Sequence, residues 1–335
     1  MKKNFINSGR CRLAGVFFLV ILILSSLALL WQNQFDHTGP ELGVTFSTLH
    51  AEELAGNWAD VYWATVDELG VRNLRVPVYW SEVESVQGEY DFSGLNWIMN
   101  EAEAHGASVT LAVGVKVPRW PECFIPEWAA DLSREDQRAV AVEFVKEVVG
   151  QYKDHPALAR WQVENEPLFY FGECPFPDLL RVAEETDAVR NLDPDHPILS
   201  TTSGEQGIWV FRSSAIDEIG ASLYRMVWND LLGYLAFPYR PEFYAIQRIV
   251  ASALVQKVII SELQAEPWIY GELMDASVDE QYEAFTAEDL IDNVEFARRT
   301  GVDEIFLWGV EWWYYLRLEG DDRLWSAAME LFKQK

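Results

Sequence analysis

The sequence predicts a single-domain α/β fold, a (β/α)8 TIM barrel over residues 41–335, from three observations. Short apolar runs recur eight times, amphipathic helical stretches separate them, and half of the residues are apolar, enough to bury a large core. An open doubly wound sheet is the structural alternative. It normally carries a glycine-rich phosphate turn after its first strand, and residues 46–50, Phe-Ser-Thr-Leu-His, do not form one.

Eight strands are predicted from short apolar and β-branched runs that are bounded by turn residues. They span residues 43–48, 73–80, 108–114, 159–166, 197–202, 219–224, 257–262 and 304–309. The sixth of these has the weakest pattern. Such short strands, separated by helical segments, are typical of a parallel sheet.

Helices are predicted from the 3.6-residue periodicity and from capping residues at their ends. They span residues 58–69, 95–105, 134–152, 177–191, 239–254, 287–300 and 324–333. Ser133 is a plausible N-cap, Pro241 suits a first helical turn, and Gly70, Gly106 and Gly301 end three of the helices.

The charge balance excludes a nucleic-acid partner. The chain carries 53 acidic residues against 26 Lys and Arg, a net charge of -27, whereas phosphate binding requires a basic face. The same charge repels acidic polymers, which favours a neutral substrate. The 15 Trp residues suit sugar rings, whose apolar faces stack on flat aromatic surfaces, although core packing accounts for most of them.

Metal and nucleotide chemistry lack their usual ligands in this sequence. There are 5 His residues, with no His-x-x-x-His pair, no Cys-x-x-Cys motif and no P-loop. We therefore expect no metal site and no cofactor.

An apolar segment, residues 13–31, precedes the predicted domain and is not part of its fold. The positive charges before it are Lys2, Lys3, Arg10 and Arg12. By the usual orientation rule this flank stays in the cytoplasm. We therefore expect residues 1–12 to be a basic cytoplasmic flank, 13–31 an uncleaved transmembrane anchor and 32–40 a linker. A cleaved signal peptide is the alternative, and either one places residues 41–335 outside the cytoplasm.

Two cysteines, Cys123 and Cys174, fall in loops after the third and fourth predicted strands, which are neighbours in a barrel. In an oxidising, extracytoplasmic space they predict a disulfide bond. Closing a loop of about 50 residues would stabilise the fold by about 3–4 kcal/mol in the chain-entropy model. Two unrelated free thiols are the alternative.

Two glutamates stand at predicted carboxyl ends of strands, where barrel enzymes place their chemistry. Glu166 ends the fourth strand and is followed by Pro167, which stops it. Glu262 ends the seventh strand, in the run Val-Ile-Ile-Ser-Glu. These strands lie nearly opposite each other in a barrel, so the two carboxyl groups can meet over its axis. Glycoside hydrolysis needs such a pair, one protonated and one ionised.

These motifs resemble glycoside hydrolase clan A and are similar to its family 5 cellulase and mannanase group. The matching segments are 161–167 (Trp-Gln-Val-Glu-Asn-Glu-Pro), 259–262 (Ile-Ile-Ser-Glu), 79–84 (Tyr-Trp-Ser-Glu-Val-Glu), 88–93 (Gly-Glu-Tyr-Asp-Phe-Ser) and 306–309 (Phe-Leu-Trp-Gly). The resemblance spans residues 43–333. Members of the clan are retaining enzymes, so the resemblance implies that Glu166 is the acid/base and Glu262 the nucleophile.

The resemblance also implies residues that support the two glutamates. Asn165 matches the asparagine that binds the sugar 2-hydroxyl, and Arg75 matches the arginine that pairs with the nucleophile. Tyr224 lies where the clan often places a tyrosine bonded to the nucleophile. The alternatives are an ordinary core ion pair for Arg75 and aromatic packing for Tyr224.

Two further glutamates compete for the catalytic roles. Glu164 lies two residues before Glu166, so a regular strand would turn both to one face and Asn165 to the other. We prefer Glu166 and expect Glu164 to be a buried structural acid. Glu266 competes with Glu262, but it lies past the predicted strand end, where a rim or substrate contact is expected.

Aromatic and polar residues near the strand ends are candidate sugar contacts. Trp308 is the expected floor of the sugar site, because the eighth strand ends there. His50 could bind a hydroxyl or be structural, and Glu205 is a weaker polar candidate. The tryptophans predicted at the rim, of which we expect about half to be core packing, are Trp80, Trp120, Trp268, Trp312 and Trp313.

The sequence therefore predicts a membrane-anchored or secreted retaining glycoside hydrolase that cleaves a neutral, β-linked oligo- or polysaccharide. A non-catalytic glycan-binding barrel at the cell surface and a transglycosidase are the alternatives. We expect a monomeric catalytic domain. The sequence specifies neither the sugar and linkage nor whether cleavage occurs at chain ends or inside the chain.

Overall fold

The computed structural model describes residues 39–333 except 176, 208, 210–214, 230–232 and 270–272. Residues Glu41–Lys335 form one compact unit. In this unit eight parallel strands close into a barrel, and helices connect them. The predicted (β/α)8 barrel is confirmed.

Ten strands occur in the described residues, and eight of them form the barrel. The barrel strands are β1 (Glu41–Thr45), β2 (Asn73–Pro77), β3 (Ser108–Val113), β4 (Leu158–Val163), β5 (Ile198–Thr202), β6 (Glu218–Leu223), β9 (Lys257–Gln264) and β10 (Glu304–Trp308). Each pairs with its neighbours in this order, and β10 pairs with β1 to close the ring. The other two, β7 (Met226–Asn229) and β8 (Gly233–Ala236), form an antiparallel hairpin after β6.

The helices of the described part lie between successive strands or, in two cases, after the last strand. They are α1 (Thr48–Ala55), α2 (Trp58–Asp67), α3 (Trp80–Val83), α4 (Ser93–Ala104), α5 (Glu127–Ala130), α6 (Arg134–Tyr152), α7 (Leu179–Leu192), α8 (Pro241–Ala251), α9 (Val278–Ala284), α10 (Ala287–Arg298), α11 (Val310–Leu318) and α12 (Arg323–Lys333). Leu273–Asp275 is a short 3-10 helix.

Capping residues explain where several helices begin. The Ser133 hydroxyl accepts a hydrogen bond from the Asp136 backbone N–H at the start of α6, as the sequence predicted. Pro241 occupies the first turn of α8, where its missing N–H costs nothing. Thr286 and Asp289 form a capping box at the start of α10.

The barrel interior changes from charged to apolar to polar along its axis. At the amino ends of the strands, Glu304 is fully buried and binds Arg160 and Lys257. Further along, a separate apolar cluster contains Leu199, Ile259 and Phe306. Polar and charged side chains collect at the carboxyl ends, where the functional site is expected.

The structure corrects three sequence-based predictions. Helix α1 was not predicted, because residues 48–55 follow β1 directly and lack a clear apolar stripe. The segment after β6, where no strand was predicted, contains the β7–β8 hairpin. Trp80 lies in helix α3 rather than in a strand, since β2 ends at Pro77.

Three of the five tryptophans predicted at the rim are core residues. Trp80 is fully buried and stacks on Phe144 of α6, with ring centroids 5.6 Å apart. Trp312 and Trp313 in α11 are fully buried as well. Their side chains therefore pack the barrel wall and do not contact a bound sugar.

None of the helices within residues 39–333 is long and apolar enough to cross a membrane. The predicted anchor, residues 13–31, lies outside the described residues.

Candidate active site

Glu166 occupies an irregular turn immediately after β4. Strand β4 ends at Val163, and both Glu164 and Glu166 adopt positive φ angles, 58° and 43°. L-residues rarely adopt this left-handed conformation. It breaks the two-residue alternation of a strand, so Glu164, Asn165 and Glu166 take three different surroundings.

Glu164 is held inside the wall of the barrel. Its carboxylate accepts hydrogen bonds from the backbone N–H groups of Val115 and Lys116, at 3.0 and 3.1 Å. Arg181 of α7 donates to the same carboxylate at 3.1 Å. These contacts tie the ends of β3 and β4 to α7 and agree with the structural role expected for Glu164.

Glu166 lies in a buried pocket at the carboxyl ends of β4, β5 and β6. Its backbone N–H donates to Thr201 Oγ1 at 2.8 Å, and its Oε1 accepts a hydrogen bond from the Ser222 hydroxyl at 2.8 Å. Only 8% of the residue is exposed. Burial, followed by the negative charge of Glu262, raises the pKa of Glu166 to about 7, although Ser222 acts in the opposite direction.

Glu262 lies near the carboxyl end of β9 and accepts hydrogen bonds at both oxygens. Arg75 Nη1, from β2, donates to Oε1 at 2.9 Å, and the Tyr224 hydroxyl donates to Oε2 at 3.0 Å. Arg75 is fully buried, and 5% of Glu262 is exposed. The charge-assisted bond to Arg75 and the phenol fix the orientation of this carboxylate.

The two glutamates face the same part of the barrel mouth. Ser222 pairs in register with Glu262 across β6 and β9, and its hydroxyl bonds to Glu166. Ser222 therefore lies beside Glu262 on the neighbouring strand and bonds to the carboxyl group of Glu166. The Glu262 charge also contributes to the raised pKa of Glu166.

Asn165 lies between the two glutamates and hydrogen-bonds to a side chain that contacts each of them. Its Oδ1 accepts hydrogen bonds from Arg75 Nη2 at 2.7 Å and from the Thr201 hydroxyl at 3.2 Å. Its Nδ2 donates to Glu122 Oε2 at 3.2 Å. The irregular end of β4 thus turns Asn165 towards the site, although a regular strand would turn it away.

Glu122, from the loop after β3, is a third buried carboxyl group at the site. Burial, followed by the charge of Glu262, raises its pKa to about 8. Lys116 Nζ lies 3.8 Å from Glu122 Oε2 and acts against this increase. Burial thus raises the pKa of two neighbouring carboxyl groups of the site, Glu122 and Glu166.

The side chains that hydrogen-bond to Glu266 differ from those that hydrogen-bond to Glu262. Arg119 donates to both of its carboxylate oxygens, and Trp308 Nε1 donates to Oε1 at 2.8 Å. Although burial acts to raise the pKa of Glu266, the charge of Arg119 lowers it overall. His50 Nε2 lies 4.0 Å from Glu266 Oε2.

Trp308, the predicted floor of the sugar site, ends β10 and is covered on one face. The Arg119 guanidinium carbon lies 4.3 Å from the centroid of the Trp308 ring, a cation–π contact. The tryptophan is 7% exposed. Arg119 therefore occupies one face of the ring that was predicted to contact a sugar.

A chain of aromatic rings leads outwards from Glu262. Tyr224 contacts Trp268 at 5.6 Å, Trp268 contacts Phe171 at 6.0 Å, and Phe171 contacts Trp120 at 6.0 Å between ring centroids. Trp120 is 63% exposed. The predicted rim residues Trp120 and Trp268 are therefore placed where a sugar chain can reach them.

The predicted disulfide is confirmed. Cys123, in the loop after β3, is bonded to Cys174, in the loop after β4. The two loops also approach closely at Gly172, where a Cβ atom would lie 2.6 Å from the Pro121 carbonyl oxygen. Gly172 has a φ of 86°, so only glycine suits this position on both counts. The bond fixes the loop that carries Trp120 and Glu122.

Glu205, the weaker polar candidate, is buried and bonds to Tyr224. Its Oε1 accepts hydrogen bonds from the Tyr224 backbone N–H at 3.0 Å and from the Tyr244 hydroxyl at 2.9 Å. Burial raises the pKa of Glu205 to about 7. Among the described residues, no group of three or more His, Cys, Asp and Glu side chains is arranged to hold a metal ion.

Three residues of the site were not identified from the sequence. Ser222 carried a usable signal, because it lies two positions before Tyr224 and a strand turns such residues to the same face. Arg119 and Glu122 lie in an irregular loop with φ angles of 90° and 76°. No periodic pattern predicts where such a loop points its side chains.

Comparison with solved structures identifies similar barrels. An exo-β-1,4-mannosidase from Opitutaceae bacterium strain TAV5 superposes with a TM-score of 0.59 at 16% identity, over 88% of this chain and 59% of that one. A β-galactosidase from Bacillus circulans sp. alkalophilus has a TM-score of 0.58 at 13% identity, over 88% and 56%. The names of these two neighbours are those of glycoside hydrolases. At such identities the comparison establishes the shared barrel fold.

Sequence comparison detects shorter similarities. A β-galactosidase from Arthrobacter sp. is 31% identical over 120 residues, which is 30% of this chain and 17% of that protein. Mannan endo-1,4-β-mannosidase F from Aspergillus clavatus is 25% identical over 124 residues, 34% of this chain and 27% of that protein. The chain thus matches only a minor part of the length of these relatives. No family model matches the sequence.

Proposed function

We propose that this protein is a retaining glycoside hydrolase that cleaves a neutral, β-linked oligo- or polysaccharide, with Glu166 as acid/base and Glu262 as nucleophile. The observation that carries the proposal is the different bonding of these two carboxyl groups. Glu262 accepts hydrogen bonds from Arg75 and Tyr224, whereas burial and the charge of Glu262 raise the pKa of Glu166 to about 7. A retaining glycosidase needs one protonated and one ionised carboxyl group flanking a single bond.

The reaction would proceed in two displacements. In the first, a Glu262 oxygen attacks the anomeric carbon, the glycosidic bond breaks, and Glu166 gives its proton to the leaving oxygen. In the second, Glu166 takes a proton from water as the water oxygen attacks the anomeric carbon, and the bond to Glu262 breaks. Both carboxyl groups return to their starting states, and the sugar keeps its β configuration.

The neighbouring side chains suit this sequence of steps. Arg75 and Tyr224 hold Glu262 in one orientation, which places its attacking oxygen in advance of the reaction. Asn165, fixed by Arg75, is placed to bind the sugar 2-hydroxyl. Glu166 changes its charge twice per cycle, and a pKa near 7 makes both changes accessible at neutral pH.

The class of sugar is proposed from the net charge of the chain and from the names of its relatives. The net charge of -27 disfavours acidic glycans. The relatives include β-galactosidases and mannosidases, so β-galactosides and β-mannosides come first in a substrate panel. One mannosidase is named as an exo enzyme and the other as an endo enzyme, so these names do not decide the mode of action.

We also propose that residues 41–335 act outside the cytoplasm, held by the apolar segment 13–31. The Cys123–Cys174 disulfide supports this location, because such bonds persist in oxidising compartments. Fractionation of cells that express the full chain tests it. Activity that stays with the membrane after washing with high salt is expected, and activity in the cytoplasmic fraction contradicts the proposal.

A panel of aryl β-glycosides and β-linked oligosaccharides tests the enzymatic proposal. Glu262→Ala is expected to abolish turnover, because no covalent intermediate can form. Glu166→Ala should lower kcat/KM about 10²–10⁴-fold on oligosaccharides and much less on aryl glycosides, whose leaving groups need no proton. Glu173→Ala, an exposed residue on the same loop as Glu166, is the matched control and should keep full activity.

The outcome separates the proposal from its alternatives. Initial release of the β-anomer, followed by nuclear magnetic resonance, supports retention. A fully active Glu262→Ala enzyme contradicts the assignment. Sugar binding without release from any substrate supports a glycan-binding barrel, and transfer to an added sugar in preference to water supports a transglycosidase.

A further inference from the structure

The backbone turn that carries Glu166 is strained and needs support from its surroundings. Glu166 has a φ of 43°, a left-handed conformation that an L-residue keeps only where neighbouring groups hold it. Its backbone N–H donates to Thr201 Oγ1, and its carbonyl oxygen accepts a hydrogen bond from the Phe169 backbone N–H at 2.9 Å. Residues 166–169 therefore form one turn, with Pro167 at its second position.

One side chain, that of Lys116, bonds to both ends of this turn. Lys116 lies in the loop after β3, and its Nζ donates to the carbonyl oxygens of Glu166 at 3.3 Å and of Phe169 at 2.9 Å. These are the first and last residues of the turn. A lysine ammonium has three N–H donors and no acceptor, so it suits a site that is formed by carbonyl oxygens. The position of the Glu166 backbone thus depends on a residue of the neighbouring loop.

Lys116 is itself held in place through its backbone. The residue is 5% exposed. Its N–H donates to Glu164 Oε2 at 3.1 Å, and its carbonyl oxygen accepts a hydrogen bond from the Asn165 N–H at 2.6 Å. It also forms a β-bridge with Cys123, which is bonded to Cys174 in the loop after β4. These contacts fix the ammonium relative to the turn.

The charge of Lys116 also acts on Glu166. Burial, followed by the charge of Glu262, raises the pKa of Glu166 to about 7, whereas Ser222, Lys116 and Arg75 act to lower it. Arg75 bonds to Glu262, but Lys116 bonds to the Glu166 turn. The charged and titratable groups that interact with Glu166 are Glu262 of β9, Arg75 of β2, Lys116 and Glu122 of the loop after β3, Glu205 of the loop after β5, and Tyr224 after β6.

We propose that Lys116 is a positioning residue for Glu166, which holds the turn of the acid/base and offsets part of the negative charge around it. This proposal rests on the function proposed above and adds a cation to that site. When Glu166 gives its proton to the leaving oxygen, a buried carboxylate forms, and a nearby ammonium stabilises it. In the second displacement the same carboxylate takes a proton from water. The effect of Lys116 is therefore confined to steps in which Glu166 moves a proton.

The first test compares Lys116→Met with the wild type, both as full-length proteins, on an oligosaccharide and a dinitrophenyl β-glycoside of the same sugar. The dinitrophenolate leaves without a proton. We expect kcat/KM to fall about 10–100-fold on the oligosaccharide and less than about threefold on the aryl glycoside, because a misplaced Glu166 impairs proton transfer alone. An equal loss on both substrates, or no loss on either, overturns the inference. Failure of the wild type to cleave any β-glycoside overturns the proposed function instead.

The pH profile separates positioning from a merely structural role. Burial and the charge of Glu262 raise the pKa of Glu166, and Lys116 acts against them. Without that cation Glu166 should stay protonated to higher pH, so the alkaline limb of kcat/KM on the oligosaccharide should move to higher pH. Lys116→Gln keeps a side-chain N–H donor and removes the charge, so it should show the same shift. If Lys116→Met does not fold, Lys116→Gln decides the inference, and an alkaline limb that stays in place or moves to lower pH overturns it.

A double variant tests whether Lys116 acts through Glu166. In Glu166→Ala no acid/base remains to be positioned, so the addition of Lys116→Met should lower kcat/KM on the aryl glycoside less than about threefold. A larger further loss shows a separate effect on the fold and overturns the inference. Lys146→Met is the matched control, because Lys146 pairs with Glu143 on the surface of α6, with 41% of its side chain exposed. This control should keep the wild-type kcat/KM and alkaline limb.

Discussion

Ser222 and Tyr224, two residues apart at the end of β6, donate their hydroxyls to different glutamates. Ser222 bonds to Glu166 at 2.8 Å and Tyr224 to Glu262 at 3.0 Å. Residues two apart on a strand project to the same face, so this one strand sets the spacing of both carboxyl groups. The arrangement gives each proposed catalytic residue its own donor, and each donor can be removed separately.

Removal of the Ser222 hydroxyl should shift the pH dependence to higher pH. Burial and the charge of Glu262 raise the pKa of Glu166 to about 7, and the hydrogen bond from Ser222 lowers it by favouring the ionised form. Ser222→Ala removes the lowering effect, so Glu166 should stay protonated to higher pH. The measurement is kcat/KM on an oligosaccharide against pH, whose alkaline limb reports the acid in the free enzyme.

Tyr224→Phe is the matched comparison. It removes a donor to Glu262 and should lower kcat about 10–100-fold, because the nucleophile loses an orienting bond. The alkaline limb should remain near that of the wild type. An alkaline limb that moves to lower pH in Ser222→Ala would contradict the proposed role of Glu166.

Arg75 should not tolerate lysine. Its guanidinium bonds to Glu262 and Asn165 at once, whereas a lysine ammonium cannot reproduce that planar fork. We expect Arg75→Lys to lower kcat/KM about 10²–10³-fold. Arg75→Ala should also lower the free energy of unfolding by about 3–5 kcal/mol, since it leaves a buried carboxylate unpaired. Kinetics and urea unfolding measure the two effects, and wild-type kinetics in Arg75→Lys would refute the arrangement.

Glu304 should matter for stability and not for substrate binding. It is the first residue of β10, at the end of the barrel away from Glu166, and it binds Arg160 and Lys257. Glu304→Gln should lower the free energy of unfolding by about 3 kcal/mol, because buried Arg160 and partly exposed Lys257 lose their shared carboxylate. KM should stay unchanged. Urea unfolding and substrate titration separate the two quantities.

The Glu304 contribution should also disappear in acid. Burial acts to raise the pKa of Glu304, but Arg160 and Lys257 lower it overall. Because the folded-state pKa lies below the unfolded value of about 4.3, the stabilisation is present above that pH and is lost as pH falls through the folded value. The difference between wild type and Glu304→Gln should therefore shrink below about pH 4. A constant difference would show that the charge is not responsible.

The disulfide should stabilise the loops of the site. Cys123 and Cys174 are 51 residues apart, and such a loop contributes about 4 kcal/mol in the chain-entropy model. The Cys123→Ser, Cys174→Ser double variant should lose up to that amount in chemical unfolding. Dithiothreitol should lower the stability of the wild type to that of the variant and leave the variant unchanged. An equal effect of the reductant on both proteins would contradict the prediction.

The sequence predicted the barrel because the strand and helix patterns are local. The predicted seventh strand, 257–262, and the helix 134–152 match β9 and α6 within two residues. Apolar periodicity and capping depend on neighbours in the chain, and burial in a barrel preserves them. Helix α1 was missed because its apolar stripe is weak.

Sequence reasoning identified residues of the candidate site only where they continue a strand pattern. Glu166, Glu262 and Arg75 follow strand patterns, and Arg75 bonds to Glu262. Arg119 and Glu122 lie in a loop with left-handed residues, whose course depends on the disulfide and on distant ion pairs. Trp80 was misplaced because β2 ends earlier than its apolar run suggests. Long-range contacts of this kind have no local signature.

The left-handed backbone at Glu164 and Glu166 lowers the stability of the fold at the residues of the proposed active site. Each such residue costs about 1–3 kcal/mol, a cost that glycine would not incur. Laboratory evolution for heat resistance alone would accordingly favour replacement of Glu166, whereas Glu164 is retained by its bonds to Arg181 and to two backbone N–H groups. A heat-resistant variant that is selected without an activity assay is expected to be more stable than the wild type and catalytically inactive.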